Sequence, residues 1–279
     1  MTVSIIDDFN LEKIANSGQC FRVRMFEDHT YRFVTGDHVL YIKETEDTLF
    51  EMSCDEIVWE TVWCPYFDLS KNYRELRDSV NAADHYLQKA AAYGNGIRIL
   101  RQDAWETLIT FIISQRKSIP AIRVSVELLS QKYGTLLSSP QEDIYRFPTP
   151  EQLLKASDAE LRECKVGYRA PYILDAVDQV LHHGLDLTSL AAYSDEDLFR
   201  ALKQVKGVGD KVANCICLFA YNRTSRAPID TWVHKVIEQE YGGKDPFPQY
   251  GANAGVMQQY IFYYAQTHKR ETGKKHALS

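Results

Sequence analysis

At 279 residues the chain can hold a large core and two or three subdomains, and its 45% hydrophobic and 25% charged content is that of an ordinary soluble protein without low-complexity tracts. No apolar run reaches the length of a membrane span, and the opening MTVSIIDDFN lacks the basic and apolar regions of a signal peptide, so membrane and secretory classes are not expected. The net charge of −6 argues against broad nucleic-acid binding, but after residue 200 eleven Lys and Arg stand against six Asp and Glu, leaving the first 200 residues at −11. A basic C-terminal third on an acidic body suits a DNA-binding face confined to one side, or is an accident of charge distribution.

The six cysteines, Cys20, Cys54, Cys64, Cys164, Cys215 and Cys217, fit no zinc or disulfide framework and read as free thiols in a reducing compartment. Residues 20–53 alternate apolar and polar in CFRVRMF, TYRFV and HVLYIKE, with turn material between, and predict an antiparallel meander. After Cys54 the spacing becomes helical and no further strand is expected. Asp103-x-x-Glu106, Thr149-Pro150-Glu151-Gln152 and Ser157-x-x-Glu160 look like capping boxes. Ser118 to Gly134 has an early Pro120 and a terminal glycine, the expected asymmetry of a helix. Segments 168–183 and 194–205 continue the helical series. The expected architecture is α+β and mostly α: an N-terminal domain with an antiparallel sheet over 1–99, and a helical domain over 100–279.

The most informative stretch is 202–219, LKQVKGVGDKVANCICLF. A helix ends at Val205, Gly207 and Gly209 flank one apolar residue, and a second helix begins near Asp210. Glycines so spaced permit positive φ and a tight hairpin. The exposed N–H groups at such a helix start bind a phosphate without reading sequence. Lys211 falls in the first turn, where the helix dipole disfavours a cation and so favours the neutral amine that a nucleophile must be. The alternative is a solvated surface lysine. Nineteen residues on, Asp230 of Ala227-Pro-Ile-Asp-Thr-Trp-Val precedes an apolar-periodic segment. It is an N-cap by position, and a capping carboxylate facing a cleft could also stabilise positive charge on a sugar.

The pattern L-x-x-V-x-G-V-G-x-K-V-A followed by Pro-x-Asp resembles the helix-hairpin-helix DNA glycosylases, and within them the 8-oxoguanine DNA glycosylases. Lysine directly after Gly-x-Gly-x resembles the mark of the bifunctional members. Four further segments agree in order: Ser17-Gly18-Gln19-Cys20-Phe21-Arg22, Gly167-Tyr168-Arg169-Ala170, the helix from Lys211 to Leu218, and Ala254-Gly255-x-x-Gln258 with Phe262. The resemblance implies Lys211 as nucleophile and Asp230 as its carboxylate partner. It implies a damaged-base pocket of Gly18, Cys215, Phe219, Gln258 and Phe262. It implies DNA contacts at Arg116, Tyr168 (a wedge), Arg169 (the opposite base), Gly207, Val208, Gly209 and Trp232. It also implies a monovalent cation on the carbonyls of Lys203, Val205 and Val208, with no cofactor for the chemistry.

The chain departs from the family in three places. Ser114-Gln115-Arg116-Lys117-Ser118 replaces an asparagine-rich stretch, so Arg116 is the candidate to fill the gap left by a flipped base. Ala121 stands where a cytosine-reading arginine is usual, and Trp232 replaces a histidine. The four-cysteine motif of the endonuclease III branch is missing, so no iron–sulfur cluster is expected. The expected activity is removal of an oxidised purine from duplex DNA through a lysine Schiff base with β-elimination, by a monomer, in the cytoplasm if bacterial or the nucleus if eukaryotic. The rivals are a glycosylase for alkylated or deaminated bases on the same fold, a non-catalytic helix-hairpin-helix DNA-binding module, and a scaffold with no DNA role.

Overall fold

The alternation in residues 20–53 folds as a sheet because one face of each strand has a core to enter. In the computed structural model, which describes residues 1–137, 139 and 141–277, strands β1 (Thr2–Ser4), β2 (Arg24–Met25), β3 (Tyr31–Thr35), β4 (His38–Glu46) and β5 (Leu49–Met52) pair antiparallel in the order β1-β5-β4-β3-β2. Tyr31 lies opposite Ile42 and Phe33 opposite Leu40 in the β3–β4 register. The meander is thus found, with β1 added at its edge through Thr2 opposite Glu51. Three residues are too few to show a period, which is why β1 escaped the sequence. A second correction follows residue 54: β6 (Leu136–Leu137) and β7 (Ile144–Tyr145) form a small antiparallel pair.

The helices are α1 (Leu11–Asn16), α2 (Glu56–Val58) and α3 (Cys64–Tyr66) joined by a π-helical stretch, then α4 (Tyr73–Asp78) and α5 (His85–Tyr93). Next come α6 (Ala104–Ser114), α7 (Ile119–Tyr133), α8 (Pro150–Leu153), α9 (Asp158–Glu163) and α10 (Ala170–His182). The series ends with α11 (Asp195–Leu202), α12 (Asp210–Phe219), α13 (Thr231–Glu240) and α14 (Ala254–Ala277). The Thr149/Gln152 and Ser157/Glu160 capping boxes are reciprocal as expected. At Asp103 only half a box forms: its carboxylate accepts from the Glu106 N–H, with no return bond to the Asp103 N–H. Gly134 does end α7, yet at φ −79 it is not left-handed; a Cβ there would lie 2.0 Å from the Arg146 carbonyl oxygen, so close backbone approach explains the glycine.

Two cores result. Phe33, Leu40, Ile42, Phe50, Trp63 and Phe67 fill the one beneath the sheet. The helices from α4 onward share the other, with Tyr73 and Leu87 among its members, so the helical core reaches back to Tyr73, ahead of residue 100. Fully buried Arg98 ties the halves, donating to the carbonyls of Asp8, Phe67, Asp68 and Lys71 and pairing with Asp7 at 2.9 Å. No helix among the described residues is long and apolar enough to cross a membrane, and no disulfide joins the six cysteines.

Three cations of the basic C-terminal third are paired within the fold. Lys203 pairs with Asp210, Arg223 with Asp195 and Arg226 with Glu196. The side chains of Lys269, Arg270, Lys274 and Lys275 lie outside the described residues.

Candidate active site

Two helix starts meet at one cleft. α11 and α12 are joined by a turn in which Val208 N–H donates to Val205 O at 3.0 Å and Lys206 N–H to Asp175 Oδ2 at 2.7 Å. Gly207 is left-handed at φ +83, and a Cβ on it would sit 2.4 Å from the Tyr172 ring, so both backbone and space demand glycine. Gly209 corrects the sequence reading: at φ −92, ψ −177 it is extended, with open space around it. It caps α12 without a side chain, so among the described residues no capping side chain accepts the first N–H groups of that helix.

Lys211 is half-buried in the first turn of α12. Its ammonium lies 5.1 Å from the centroid of Phe111, and Lys211 shares the cleft lining with Cys215, one turn on, and Asp230. Burial pushes the Cys215 thiol up, against the opposing influence of Lys211. Asp230 caps α13 from extended backbone, one oxygen accepting the N–H of Trp232 at 3.0 Å and of Val233 at 2.9 Å. Burial raises its carboxyl above the ordinary range, although the Val233 N–H, the Lys211 charge and the Trp232 N–H all pull the other way. Lysine and carboxylate thus face one partly dry space in which their interaction is strengthened.

That space is a cleft of about 780 Å³. Of the sequence candidates, Gly18, Arg116, Lys211, Cys215, Phe219, Asp230, Trp232, Gln258 and Phe262 all line it. Gly18, left-handed at φ +75, lies so near Phe262 that a Cβ would be 2.9 Å from the ring edge. Phe219 stacks on Phe111 at 5.4 Å and 14°. Gln258 is buried with its Oε1 unpartnered, an acceptor awaiting a donor. The Gln258 Oε1, the apolar Phe262 edge and the Lys211–Asp230 pair are what a planar, hydrogen-bonding ring attached to a sugar would need.

The mouth differs from expectation in one respect. Tyr168 is 47% exposed beside Arg116, Tyr172 and Gly207, as a wedge would be. Arg169 is instead buried, donating to the carbonyls of Gln115 and Val166, and its guanidinium stacks 4.4 Å from the Tyr168 ring. Val208 is buried and offers only backbone, and Trp232 stands within 6.0 Å of the Lys235 ammonium.

Sequence reasoning missed Phe21, Phe111, Ile119 and Gln259 in the cleft. Phe111 reads as core within an apolar helix. Gln259 donates to the Ser17 carbonyl, 242 residues away, and so ties α14 to the Gly18 turn; no local pattern signals such a contact.

Residues 3–108 match the family model of the 8-oxoguanine DNA glycosylase N-terminal domain, and 109–250 that of the HhH-GPD superfamily base excision DNA repair proteins. The N-glycosylase/DNA lyase of Saccharomyces cerevisiae is 33% identical over 189 residues, which cover 63% of this chain and only 50% of the yeast protein. Among solved structures, MBOgg1 in complex with a low-affinity DNA ligand is 34% identical with a TM-score of 0.90, 96% of each chain being covered. The Clostridium acetobutylicum 8-oxoguanine glycosylase/lyase, in complex with double-stranded DNA carrying cytosine opposite 8-oxoguanine, is 32% identical with a TM-score of 0.89, over 96% of this chain and 98% of that one.

Proposed function

The chain belongs to the HhH-GPD superfamily of base excision DNA repair proteins, and from that premise we propose that it is a bifunctional glycosylase and abasic-site lyase that removes 8-oxoguanine from duplex DNA. The observation that carries the reading is the convergence of Lys211, Asp230 and the unpartnered Gln258 Oε1 in one cleft. The likeness to glycosylase/lyases over nearly their whole length supports it. The activity of the yeast protein alone would not carry it, since this chain spans half of that protein's length.

The lesion nucleotide leaves the stack, because its glycosidic carbon is unreachable within it. The N–H groups at the start of α12 hold the neighbouring phosphates. The base enters between Gly18 and Phe262, with its edge toward Gln258 and Cys215 and Phe219 completing the wall. The neutral Lys211 amine attacks C1′, and the base departs with the glycosidic electron pair. Asp230 stabilises the developing positive charge on the sugar and holds the amine in line. Ring opening gives a Schiff base on Lys211, and loss of the C2′ proton expels the 3′ phosphate by β-elimination. Tyr168 and Arg116 share the groove beside the cleft and would meet the opened duplex there. A monovalent cation would bind the carbonyls of Lys203, Val205 and Val208; the Val205 oxygen accepts the Val208 N–H and retains a lone pair, so the turn fits such an ion, which would stiffen the phosphate grip.

Lys211→Gln should abolish both base release and strand nicking while duplex binding persists. Borohydride trapping of the wild type on 8-oxoguanine duplexes should give a covalent adduct that the variant lacks. Product formation by the variant at the wild-type rate would end the proposal.

A further inference from the structure

Two non-glycine residues at the cleft mouth occupy the left-handed region, Arg116 at φ +50 and Lys165 at φ +60, with Gly167 beside them at φ +62. Such backbone persists only where its surroundings over-determine it. Here the surroundings are two cations that cross between the turns. Lys117 Nζ leaves the 114–118 turn and donates to the Lys165 carbonyl and to Ser125 Oγ on α7, each at 2.5 Å; Ser125 Oγ itself donates to the Lys165 carbonyl at 3.1 Å. Arg169 crosses the other way, from beyond the 165–167 turn to the Gln115 carbonyl. Each cation satisfies a carbonyl of the opposite turn, and Arg116, lying between Gln115 and Lys117, is fixed outward at the lip.

No counter-charge favours a cation in the Lys117 slot. Among the described residues no carboxylate pairs with it, and burial together with the charges of Arg169 and Lys165 makes its ammonium costly there. The arrangement is explained by what it holds. Arg116 lines both the base cleft and the adjoining groove of about 430 Å³ shared with Tyr168 and Gly207.

We propose that Lys117 is a positioning residue which, with Arg169, latches the 114–118 and 165–167 turns together and so aims Arg116 into the space vacated by the extruded nucleotide. The inference rests on the glycosylase reading. Lys117 touches no reacting atom; it acts through Arg116.

The test is a double-mutant cycle read on two substrates. Lys117→Met should lower kcat/KM on a lesion duplex about tenfold, within the range that misplacing a remote group costs. It should leave borohydride trapping on a single-stranded abasic site unchanged, because no base need be extruded there. In an Arg116→Ala background the same substitution should cost nothing further. Ser125→Ala, which removes one acceptor of the latch and leaves the charges in place, should show the same pattern with a smaller loss. Equal losses on both substrates, additive losses in the cycle, or wild-type rates for Lys117→Met would each overturn the latch. Failure of the glycosylase reading would look different: the wild type itself would neither release the base nor be trapped.

Discussion

Gly18→Ala is the sharpest probe of the base slot. The left-handed backbone at φ +75 costs an alanine about 1 kcal/mol relative to glycine. The new methyl would lie 2.9 and 3.1 Å from two atoms of the Phe262 ring and 3.3 Å from Ile119, all inside the usual contact distance of about 3.5–4.0 Å. Overpacking of this kind costs about 1–3 kcal/mol. The sum, about 2–4 kcal/mol, would lower the melting temperature by roughly 4–16 °C, at some 2–4 °C per kcal/mol for a chain of this size. The ring edge can yield, and if it does the penalty falls toward the lower figure, but Phe262 then leaves the place where a base would stack. Activity therefore discriminates: excision from a lesion duplex should fall well below wild type, while trapping on a ready-made abasic site, which has no base to seat, should stay within about twofold. Unchanged melting with equal rates on both substrates would show that Gly18 and Phe262 do not form the slot.

Three further outcomes follow from the same geometry. Gly207→Ala, forced against the Tyr172 ring at 2.4 Å, should weaken duplex binding and stability together, whereas Gly209→Ala, extended and in open space, should leave folding intact; a binding titration with thermal melts checks both. Asp230→Asn keeps an oxygen to cap α13 and relieves a buried carboxyl whose raised value makes stability fall as pH rises through it, so melting at neutral pH should not drop while turnover falls by roughly a hundredfold or more. Glu106, raised by burial from 4.5 to about 7 despite the countering Arg22, binds its proton more tightly folded than unfolded; stability should decline as pH climbs through that window, and Glu106→Gln should flatten the decline in melts taken from pH 5 to 8.

Much of the site was legible because its signals are local. The hairpin lysine, the capping Asp230 and the two reciprocal capping boxes depend on residues within four positions of one another. What was not legible depends on distance or on direction. Gln259 gains its role from Ser17 at the other end of the chain, and Phe111 from the packing of α12 against α6. Arg169 was expected to face DNA, but a side chain's direction is decided by acceptors supplied elsewhere, here the Gln115 and Val166 carbonyls. A charge count is equally blind to direction: Arg223 and Arg226 add to the basic total, and the acidic first turn of α11 pairs with both.

The two principal residues also show why each position needs its own residue type. Both stand at helix starts, where unpaired N–H groups make the local potential positive. At α12 the cap is a glycine, so those N–H groups remain available to an external anion, and Asp210, the acidic residue of its first turn, is paired with Lys203. At α13 the cap is a carboxylate, and one of its oxygens is spent on the N–H groups of Trp232 and Val233. Serine or asparagine would cap as well, but neither would bring a negative charge to face Lys211 across the cleft. A carboxylate without the cap would swing freely and be dearer to bury. On the proposed chemistry Asp230 joins two functions in one side chain: the helix fixes the direction of the charge, and the charge offsets the cation formed on the sugar. Exchanging the caps, with aspartate at 209 and glycine at 230, would keep both helices begun, take the carboxylate from the cleft and set a negative charge where the proposed function places a phosphate.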